Sequence, residues 1–461
     1  MKNNVFFVGI GGTGLSAIAR LLKEKGYMVS GSDQEISSSA RDLISDGITV
    51  FKGHEASHIT NIDLVIRSSA IQETNPEVQA AIKAGIPVYK RSDILGELME
   101  DQKGIAVAGT HGKTTTTAMI ATMIDGLGLD PSYIIGSVSK NLGKNAHFGH
   151  GEYFVIEADE YDRMFLGLKP YIGIITNLEH DHPDCYPTLA DYQQAFLDFV
   201  QRISRDGYLF VCGDDHGIDK IIPSINFPKI FTYGLSDQSD YRAIDLRINE
   251  FGSYTFRVEY KNSPTVNSFT EIRLKVPGKH NVLNALAAIA IGHQLNFDSH
   301  KSSQVLAEFS GTGRRFEVVG EVNGITIIDD YAHHPTEISA TLQAARMRYP
   351  DREIWAVWQP HTYSRTKTLF NEFVSCFSEA DHVIISQVYA SREKFDGFSA
   401  ESFVQAIDQP NVSYIPTLNE ITSYLLKNLS TGDVLFVFSA GDAVQVTKDV
   451  YSSLSQKEKE K

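Results

Sequence analysis

The chain has 461 residues, of which 42% are hydrophobic and 21% charged, and this composition is typical of folded globular proteins. With 42 Lys and Arg against 57 Asp and Glu, its formal charge of −15 disfavours nucleic acid and anionic membrane surfaces as partners. Three cysteines cannot form a disulfide framework, and no apolar run reaches the ~18 residues of a membrane helix, so we expect a cytoplasmic protein.

Short apolar runs alternate with longer helical stretches along the chain, and most of these runs are continuous rather than alternating. Continuous apolar strands are typical of parallel sheets that helices cover on both faces. The exception is the segment 241–276, where alternation predicts an antiparallel insert. Strands are predicted at 5–9, 63–67, 105–109, 153–157, 172–177, 208–212, 325–329, 354–358, 382–386 and 434–439.

The first glycine-rich turn follows strand 5–9 and opens a helix. It carries Gly9, Gly11, Gly12 and Gly14, and Asp33 follows a second strand at the spacing of a GxGxxG fingerprint. In this context the turn places a pyrophosphate at a helix N-terminus. The motif alone does not choose between a dinucleotide, another nucleotide diphosphate and a tight turn without a ligand.

A second glycine-rich turn, AGTHGKTTTT at 108–117, follows strand 105–109. It matches the phosphate-binding end of a P-loop, although Val107 stands where the strict pattern has its first glycine. Backbone N–H groups of such a loop cradle phosphates, the lysine reaches the β- and γ-phosphates, and the hydroxyl ligates Mg²⁺. The predicted nucleotide-binding residues of this turn are Gly109, Thr110, His111, Gly112, Lys113, Thr114 and Thr115.

Length favours three domains, since a domain averages about 150 residues. A polar segment near 96–103 and a glycine-rich stretch at 310–315 suggest where they divide. The predicted fold class is therefore α/β with three domains. These are an N-terminal Rossmann-like domain (1–99), a central P-loop ATPase-type sheet with an antiparallel insert (100–312) and a C-terminal Rossmann-like domain (313–461).

Candidate metal ligands follow the next two strands at their carboxyl ends, where ligands bind in open α/β sheets. Glu157 ends strand 153–157 and begins the acidic segment EADEYD, and His182 lies in NLEHDH after strand 172–177. One or two carboxylates with phosphates and water suit Mg²⁺. An imidazole is an unusual Mg²⁺ ligand, so the residues alone leave His182 open as a metal ligand, as a residue that supports the ligands or as a surface residue.

Polar residues of the last third follow apolar strands at the same end. Asp330 and His333 lie in IIDDYAHHPTE, His361 and Arg365 in QPHTYSRT, and Arg315 in GRRFE. Their spacing matches no structural zinc site, and a rim that lines a phosphoryl-transfer cleft fits better beside a P-loop.

Two amide side chains, Asn281 and Asn284, lie one turn apart at the start of an Ala-rich helix. They can cap that helix. They can equally read the edge of a purine, and the sequence does not decide between the two.

These segments together resemble the Mur ligase family of peptidoglycan synthesis, in order and over essentially the whole chain. The segments are GIGGTGLS, GTHGKTTTT, EADE, NLEHDH, GKHNVLNALA, GRRFE, DDYAHHPTE and QPHTYSRT. They are most similar to the alanine-adding branch, which implies UDP-N-acetylmuramate, L-alanine and ATP as substrates and Mg²⁺ as cofactor. It also implies that ATP activates the muramoyl carboxylate as an acyl phosphate, which the amine of alanine attacks.

The resemblance also implies roles for the candidate residues. Gly9, Gly11, Gly12 and Gly14 would hold the diphosphate of the UDP-sugar, with Asp33 and Ser69 nearby. Lys113 and Thr114 would bind ATP and Mg²⁺, and Glu157 and His182 would complete the metal site. Asn281 and Asn284 would contact adenine, Arg315 and Asp330 would reach the nucleotide, and His333, His361 and Arg365 would face the γ-phosphate and the amino acid.

Two departures from the family pattern bear on which branch of the family the chain resembles. Some members have an arginine where this chain has Thr362, which leaves Arg365 alone near the amino-acid site. Other members carry a carbamylated lysine after the metal histidine, and 189–202 contains no lysine, in agreement with the alanine-adding branch.

Three alternatives remain beside this interpretation. The first is a recycling ligase that adds a whole peptide to UDP-N-acetylmuramate, the second an NAD-dependent oxidoreductase, and the third a nucleotide-dependent binding module without catalysis. We expect a monomer or a homodimer in each case.

Overall fold

The computed structural model describes residues 4–261 and 270–459, in which three α/β sheets follow one another along the chain. The elements of the N-terminal unit are β1 (Asn4–Val8), α1 (Thr13–Glu24), β2 (Met28–Asp33), α2 (Ser38–Ser45), β3 (Thr49–Lys52), β4 (Leu64–Arg67), α3 (Pro76–Lys83), β5 (Val88–Lys90) and α4 (Arg91–Leu98). All five strands are parallel, in the order β3-β2-β1-β4-β5. Since the winding direction reverses between β1 and β4, their carboxyl ends form the crevice where such sheets bind ligands.

The central unit is built on a ten-stranded mixed sheet. Its elements are β6 (Lys103–Ala108), α5 (Lys113–Gly126), β7 (Ser132–Ile134), β8 (Ala146–His147), β9 (Tyr153–Glu157), β10 (Ile172–Ile175), α6 (Leu189–Val200), β11 (Tyr208–Cys212), α7 (His216–Ile221), β12 (Ile230–Gly234), β13 (Tyr241–Ile248), β14 (Tyr254–Tyr260), β15 (Thr270–Arg273), α8 (Lys279–Gln294) and α9 (Ser299–Ala307). The strand order is β15-β14-β13-β12-β11-β10-β6-β9-β7-β8. Strands β10, β6 and β9 are mutually parallel neighbours, so the loops after all three meet at one edge.

The predicted antiparallel insert is confirmed, because β13 pairs antiparallel with β14 and β14 with β15. The part of that segment at 262–269 lies outside the described residues. The alternation in the sequence reflects a sheet with one buried face, on which Ala243, Phe256, Val258 and Ile272 point into the core.

The C-terminal unit has six strands in the order β16-β17-β21-β18-β19-β20. Its elements are β16 (Glu317–Val322), β17 (Ile325–Asp330), α10 (Pro335–Arg348), β18 (Ile354–Trp358), α11 (Tyr363–Thr368), α12 (Phe370–Ser375), β19 (His382–Ile385), α13 (Ser402–Ala406), β20 (Val412–Tyr414), α14 (Leu418–Asn428), β21 (Val434–Phe438) and α15 (Val444–Lys459). Only β16 is antiparallel to its neighbour, so the predicted three-domain α/β architecture is confirmed.

The apolar cores show how the three units are joined. The N-terminal and central units share one continuous buried cluster, to which Leu98 and Met99 at the end of α4 belong. The C-terminal unit has separate clusters on the two faces of its sheet, one of them around the fully buried Trp358. The predicted domain boundaries fall between α4 and β6 and between α9 and β16, and they stay predictions. No helix within the described ranges has the length and apolar character needed to cross a membrane.

Candidate active site

The phosphate loop lies between β6 and α5 and depends on two glycines. Gly109 has φ of 135° and Gly112 has φ of 79°, which residues with a side chain rarely adopt. A Cβ at Gly109 would also lie 2.0 Å from the Thr176 hydroxyl, so the loop can pack against β10 only with glycine there. The N-cap residue of α5 is Gly112, which has no side chain to cap the helix, so the N–H groups of its first turn are available to an anion.

Lys113 lies over its own loop and brings a positive charge to it. Its Nζ donates to the carbonyl oxygens of Gly109 (2.5 Å) and Thr110 (3.0 Å) and to Glu160 (2.9 Å). Burial acts to lower the pKa of Lys113, but the nearby carboxylates of Glu160 and Glu157 outweigh it and raise the pKa. The lysine is therefore an ammonium at neutral pH, as phosphate binding requires.

Thr114 and Glu157 form the pair of oxygen donors that the sequence predicts as a metal site. The Thr114 hydroxyl donates to the Glu157 carboxylate at 2.9 and 3.0 Å, and the Gly136 N–H donates to the same carboxylate at 2.7 Å. A hydroxyl and a carboxylate facing a phosphate loop fit Mg²⁺, which prefers hard oxygen ligands.

His182 lies next to this pair through Glu160. Its Nε2 is 3.6 Å from Glu160 Oε1 and 3.7 Å from Asp181 Oδ2, and its ring packs edge-on against Tyr161. The contacts of His182 are therefore with the carboxylate that also holds Lys113. Its role as a metal ligand stays a prediction.

His111 joins the phosphate loop to the C-terminal unit. Its Nε2 is 3.1 Å from Glu179, its Nδ1 is 3.2 Å from Glu337 on α10, and its ring lies against His334. The Thr336 hydroxyl donates to Glu179 across the same boundary at 2.9 Å. Burial alone would lower the pKa of His111, but the hydrogen bonds to Glu179 and Glu337 raise it to about 9. The loop thus presents an imidazolium between two carboxylates.

The predicted rim of the C-terminal unit comes together at the central unit. Arg365 donates from Nε (3.0 Å) and from a terminal nitrogen (2.8 Å) to Asp181, and both side chains are buried. A second terminal nitrogen of Arg365 lies 3.2 Å from His361 Nδ1. The guanidinium that the resemblance places near the amino acid is therefore held in a buried ion pair between domains.

His333 and His361 face each other beside Arg365, with ring centroids 5.8 Å apart. His333 Nδ1 lies 3.0 Å from the Tyr331 carbonyl oxygen, so Nδ1 carries the proton and Nε2 has the free lone pair. Burial lowers the pKa of His333 to about 3 and that of His361 to about 4, with Arg365 contributing to both. Both rings are neutral at pH 7.

The predicted nucleotide residues of the other elements surround a second opening, a cavity of about 580 Å³. Its wall includes His111, Thr115, Asn281, Asn284, Arg315 and Asp330. Asn284 donates to Asn281 at 3.0 Å and accepts from the Thr116 hydroxyl at 3.0 Å. The two amides on α8 therefore hold α5 in place through Thr116. Contact with adenine stays a prediction.

Asp330 and Arg315 approach this cavity from the C-terminal unit. Asp330 accepts the N–H groups of Phe316 and Ala332, each at 2.7 Å, and burial raises its pKa to about 6. Arg315 lies 3.5 Å from Glu337 and over the Tyr331 ring. Arg315 therefore borders both the nucleotide cavity and the larger cleft described next.

A cleft of about 1120 Å³ connects the N-terminal glycine turn to the phosphate loop. Its wall includes Gly14 at one end and Thr114, Glu157 and Arg315 at the other. In the glycine turn, Gly9 has φ of 84°. The Gly12 N–H donates to the carbonyl oxygen of Gly9 at 3.2 Å and closes the turn.

Asp33 and Ser69 flank the glycine turn in different ways. The Asp33 carboxylate accepts the Gly11 N–H at 2.8 Å and so fixes the turn from β2. Ser69 is exposed in the loop after β4, outside the cleft wall. Substrate contact by either residue stays a prediction.

Several residues of the site are not among the sequence predictions. Glu337 lies within DDYAHHPTE but four residues beyond the predicted His333, and Asn177 holds His111 through hydrogen bonds of 2.8 and 3.0 Å. Both stand beside motifs, so a search for polar partners around those motifs would have found them. Arg91, on the wall of the large cleft, stands in no motif and gives no such signal.

A phosphate loop and a glycine turn that open onto one cleft between three α/β units define a nucleotide-dependent enzyme with a second substrate beside its phosphates. Comparison with known sequences gives the family. The chain matches the "Mur ligase family, catalytic domain" over 4–103, the "Mur ligase middle domain" over 107–292 and the "Mur ligase, glutamate ligase domain" over 314–441. It belongs to the Mur ligase family and is an ATP-dependent amide-bond ligase.

The relatives cover the chain from end to end. A UDP-N-acetylmuramate–L-alanine ligase of Trichlorobacter lovleyi is 44% identical over 446 residues, which are 96% of each chain. One of Syntrophus aciditrophicus is 42% identical over 99% of this chain and 94% of its own. Among solved structures, the UDP-N-acetylmuramate-alanine ligase of Thermotoga maritima aligns with a TM-score of 0.82 at 29% identity, covering 98% of this chain and 99% of that one.

Proposed function

We propose that this protein joins L-alanine to the carboxylate of UDP-N-acetylmuramate, with ATP converted to ADP and phosphate, in the synthesis of peptidoglycan precursors. The observation that carries the proposal is the shared cleft, in which Gly14 of the glycine turn and Thr114 and Glu157 of the phosphate site border one space. A UDP-sugar bound at the glycine turn can extend its carboxylate toward the phosphates in that space. The relatives that are 42–44% identical are ligases of this specificity.

The first chemical step transfers the γ-phosphoryl group to a carboxylate oxygen, and ADP leaves. Lys113 and the first-turn N–H groups of α5 would hold the phosphates, and Arg315 would approach them from the C-terminal unit. Thr114 and Glu157 would hold Mg²⁺, which would supply positive charge to offset that of the phosphates. The protein's contribution at this step is positioning and electrostatic stabilisation.

In the second step the amine of L-alanine attacks the acyl carbon, and the bond from that carbon to the bridging oxygen of the phosphate breaks. Inorganic phosphate leaves with that oxygen, and the proton lost by the amine can be taken up by the released phosphate. His333 and His361 lie beside the Asp181–Arg365 pair and would face the incoming amino acid. Both imidazole rings are neutral at pH 7, so either can form a hydrogen bond with the amino acid without bringing a positive charge to it. Their roles toward alanine are part of the proposal.

Mg²⁺ dependence, a monomeric or homodimeric state and a place in the cytoplasm belong to the same proposal. Free cysteines support the last point, since Cys185, Cys212 and Cys376 are all unpaired. Family membership gives no support to the NAD-dependent oxidoreductase considered from the glycine turn alone.

A second candidate differs only in the acceptor. The murein peptide ligase of Psychrobacter arcticus aligns over 98% of both chains with a TM-score of 0.74 at 26% identity. A peptide-adding ligase would use the same phosphate site and need a wider amino-acid site.

A panel of acceptors separates the two candidates. We expect kcat/KM for L-alanine to exceed that for L-alanyl-γ-D-glutamyl-meso-diaminopimelate by about 100-fold or more, since a site built for one small amino acid excludes the rest of the peptide. The measurement is ADP release at fixed UDP-N-acetylmuramate and ATP, with glycine and L-serine as further acceptors. A preference for the tripeptide would contradict the alanine assignment and establish the second candidate.

A further inference from the structure

Arg91, the first residue of α4, places its guanidinium directly over the start of α1. A Cβ built on Gly14 would lie 2.5 Å from the Arg91 Cζ, so the guanidinium packs against the glycine itself. The N-cap residue of α1 is Gly12, which has no side chain to cap the helix, so first-turn N–H groups are open to the cleft. Two sources of positive potential thus converge on one end of the cleft.

The hydrogen-bonding capacity of Arg91 is mostly unused. Its contact with an acid is a long one, 3.5 Å from a terminal nitrogen to Asp159 Oδ2. Its Nε is buried and has no hydrogen-bond partner within the described parts of the chain. A buried, unsatisfied donor beside an uncapped helix N-terminus is costly unless an anion completes it.

Three other cations on the wall of this cleft have close acidic partners. Arg20 contacts Asp46 at 2.8 Å, Lys144 contacts Glu24 at 2.9 Å and Arg314 contacts Asp329 at 2.8 Å. Each of these three has a close carboxylate partner. Arg315 also has only a long contact, 3.5 Å to Glu337, but it lies at the phosphate-loop end of the cleft, so Arg91 is the loosely paired guanidinium at the glycine-turn end.

We propose that Arg91 binds the diphosphate of the uridine nucleotide, donating hydrogen bonds to its phosphate oxygens while the N–H groups at the start of α1 bind from the other side. Asp159 holds the guanidinium in place without a ligand and competes with the diphosphate for it. The inference takes the uridine nucleotide from the proposed function. It adds Arg91 as a residue that binds the phosphates and Asp159 as a carboxylate that opposes their binding.

Binding of UDP and of uridine to the full chain, measured by calorimetry, tests the proposal. We expect Arg91→Ala to weaken UDP binding by about 10- to 100-fold, as expected for a lost charge-assisted hydrogen bond, and to leave uridine binding unchanged. Asp159→Asn removes the competing anion, so UDP binding should be unchanged or tighter. Weaker binding in Arg91→Ala without weaker binding in Asp159→Asn separates a ligand site from a structural ion pair, because breaking a structural pair from either side would weaken binding alike.

Arg20→Ala is the matched control, since it removes the same charge from the same cleft but from a residue already paired at 2.8 Å. It should leave UDP affinity unchanged, and ATP affinity should be unchanged in all three variants. Wild-type UDP affinity in Arg91→Ala, or equal weakening by Arg91→Ala and Asp159→Asn, would overturn the inference and leave the proposed function standing. Failure of the unmodified chain to bind UDP-N-acetylmuramate would instead contradict the proposed function.

Discussion

Lys113→Ala should lower the rate of ADP formation by about 1,000-fold, because the variant loses the ammonium that neutralises the transferring phosphoryl group. The lysine is partly buried, charged and held 2.9 Å from Glu160, in the position from which it can turn to a phosphate. The measurement is kcat with saturating ATP, UDP-N-acetylmuramate and L-alanine. Full activity in this variant would contradict a catalytic role for the phosphate-loop lysine.

Stability has to be separated from catalysis in this experiment, because Lys113→Ala leaves the buried Glu160 without its cation. Lys113→Ala/Glu160→Gln removes that unpaired charge, so its thermal unfolding temperature should recover toward the unmodified protein while its activity does not. Lys103→Ala is the matched control, as Lys103 is an ion-paired lysine of the same unit at the surface. It should retain normal activity.

Glu157→Gln should lower kcat by about 100-fold and raise the Mg²⁺ concentration that gives half-maximal rate. Glutamine keeps the length and a carbonyl oxygen that the Gly136 N–H can still use, but it removes the negative charge beside Thr114. The measurement is a Mg²⁺ titration of the rate at fixed ATP.

Glu152→Gln provides the comparison for this variant, since Glu152 lies just before the same strand and pairs with Lys103 at the surface. Its Mg²⁺ titration should match that of the unmodified protein. An unchanged titration in Glu157→Gln would show that this carboxylate does not hold the metal.

The interior of the fold was predictable because buried parallel strands leave a plain signal. β1, β6 and β18 are continuous apolar runs, and each is buried along almost its whole length. The short strands β3 and β5 lack that signal, because they are sheet edges whose residues are partly exposed. Propensity alone does not mark such strands, since pairing to an inner neighbour creates them.

The site was predictable where chemistry is local in the chain. The phosphate loop, its lysine and its threonine are consecutive, and Glu157 ends the neighbouring strand, so sheet topology brings them together. The ion pair of Arg365 with Asp181 forms between segments that are distant in the sequence, so motif spacing does not predict it. Arg91 could not be predicted from the sequence for the same reason, because its neighbours Gly14 and Asp159 come from other elements.

The central claim is most directly tested by product analysis with the full chain, UDP-N-acetylmuramate, L-alanine, ATP and Mg²⁺. Mass spectrometry should find the alanyl amide of the UDP-sugar, with ADP and phosphate in equal amounts, and none of it when any one substrate is left out. A heavy-oxygen label in the muramoyl carboxylate should appear in the released phosphate, because the acyl phosphate breaks at its carbon–oxygen bond. Absence of the amide product, or phosphate free of the label, would contradict the account.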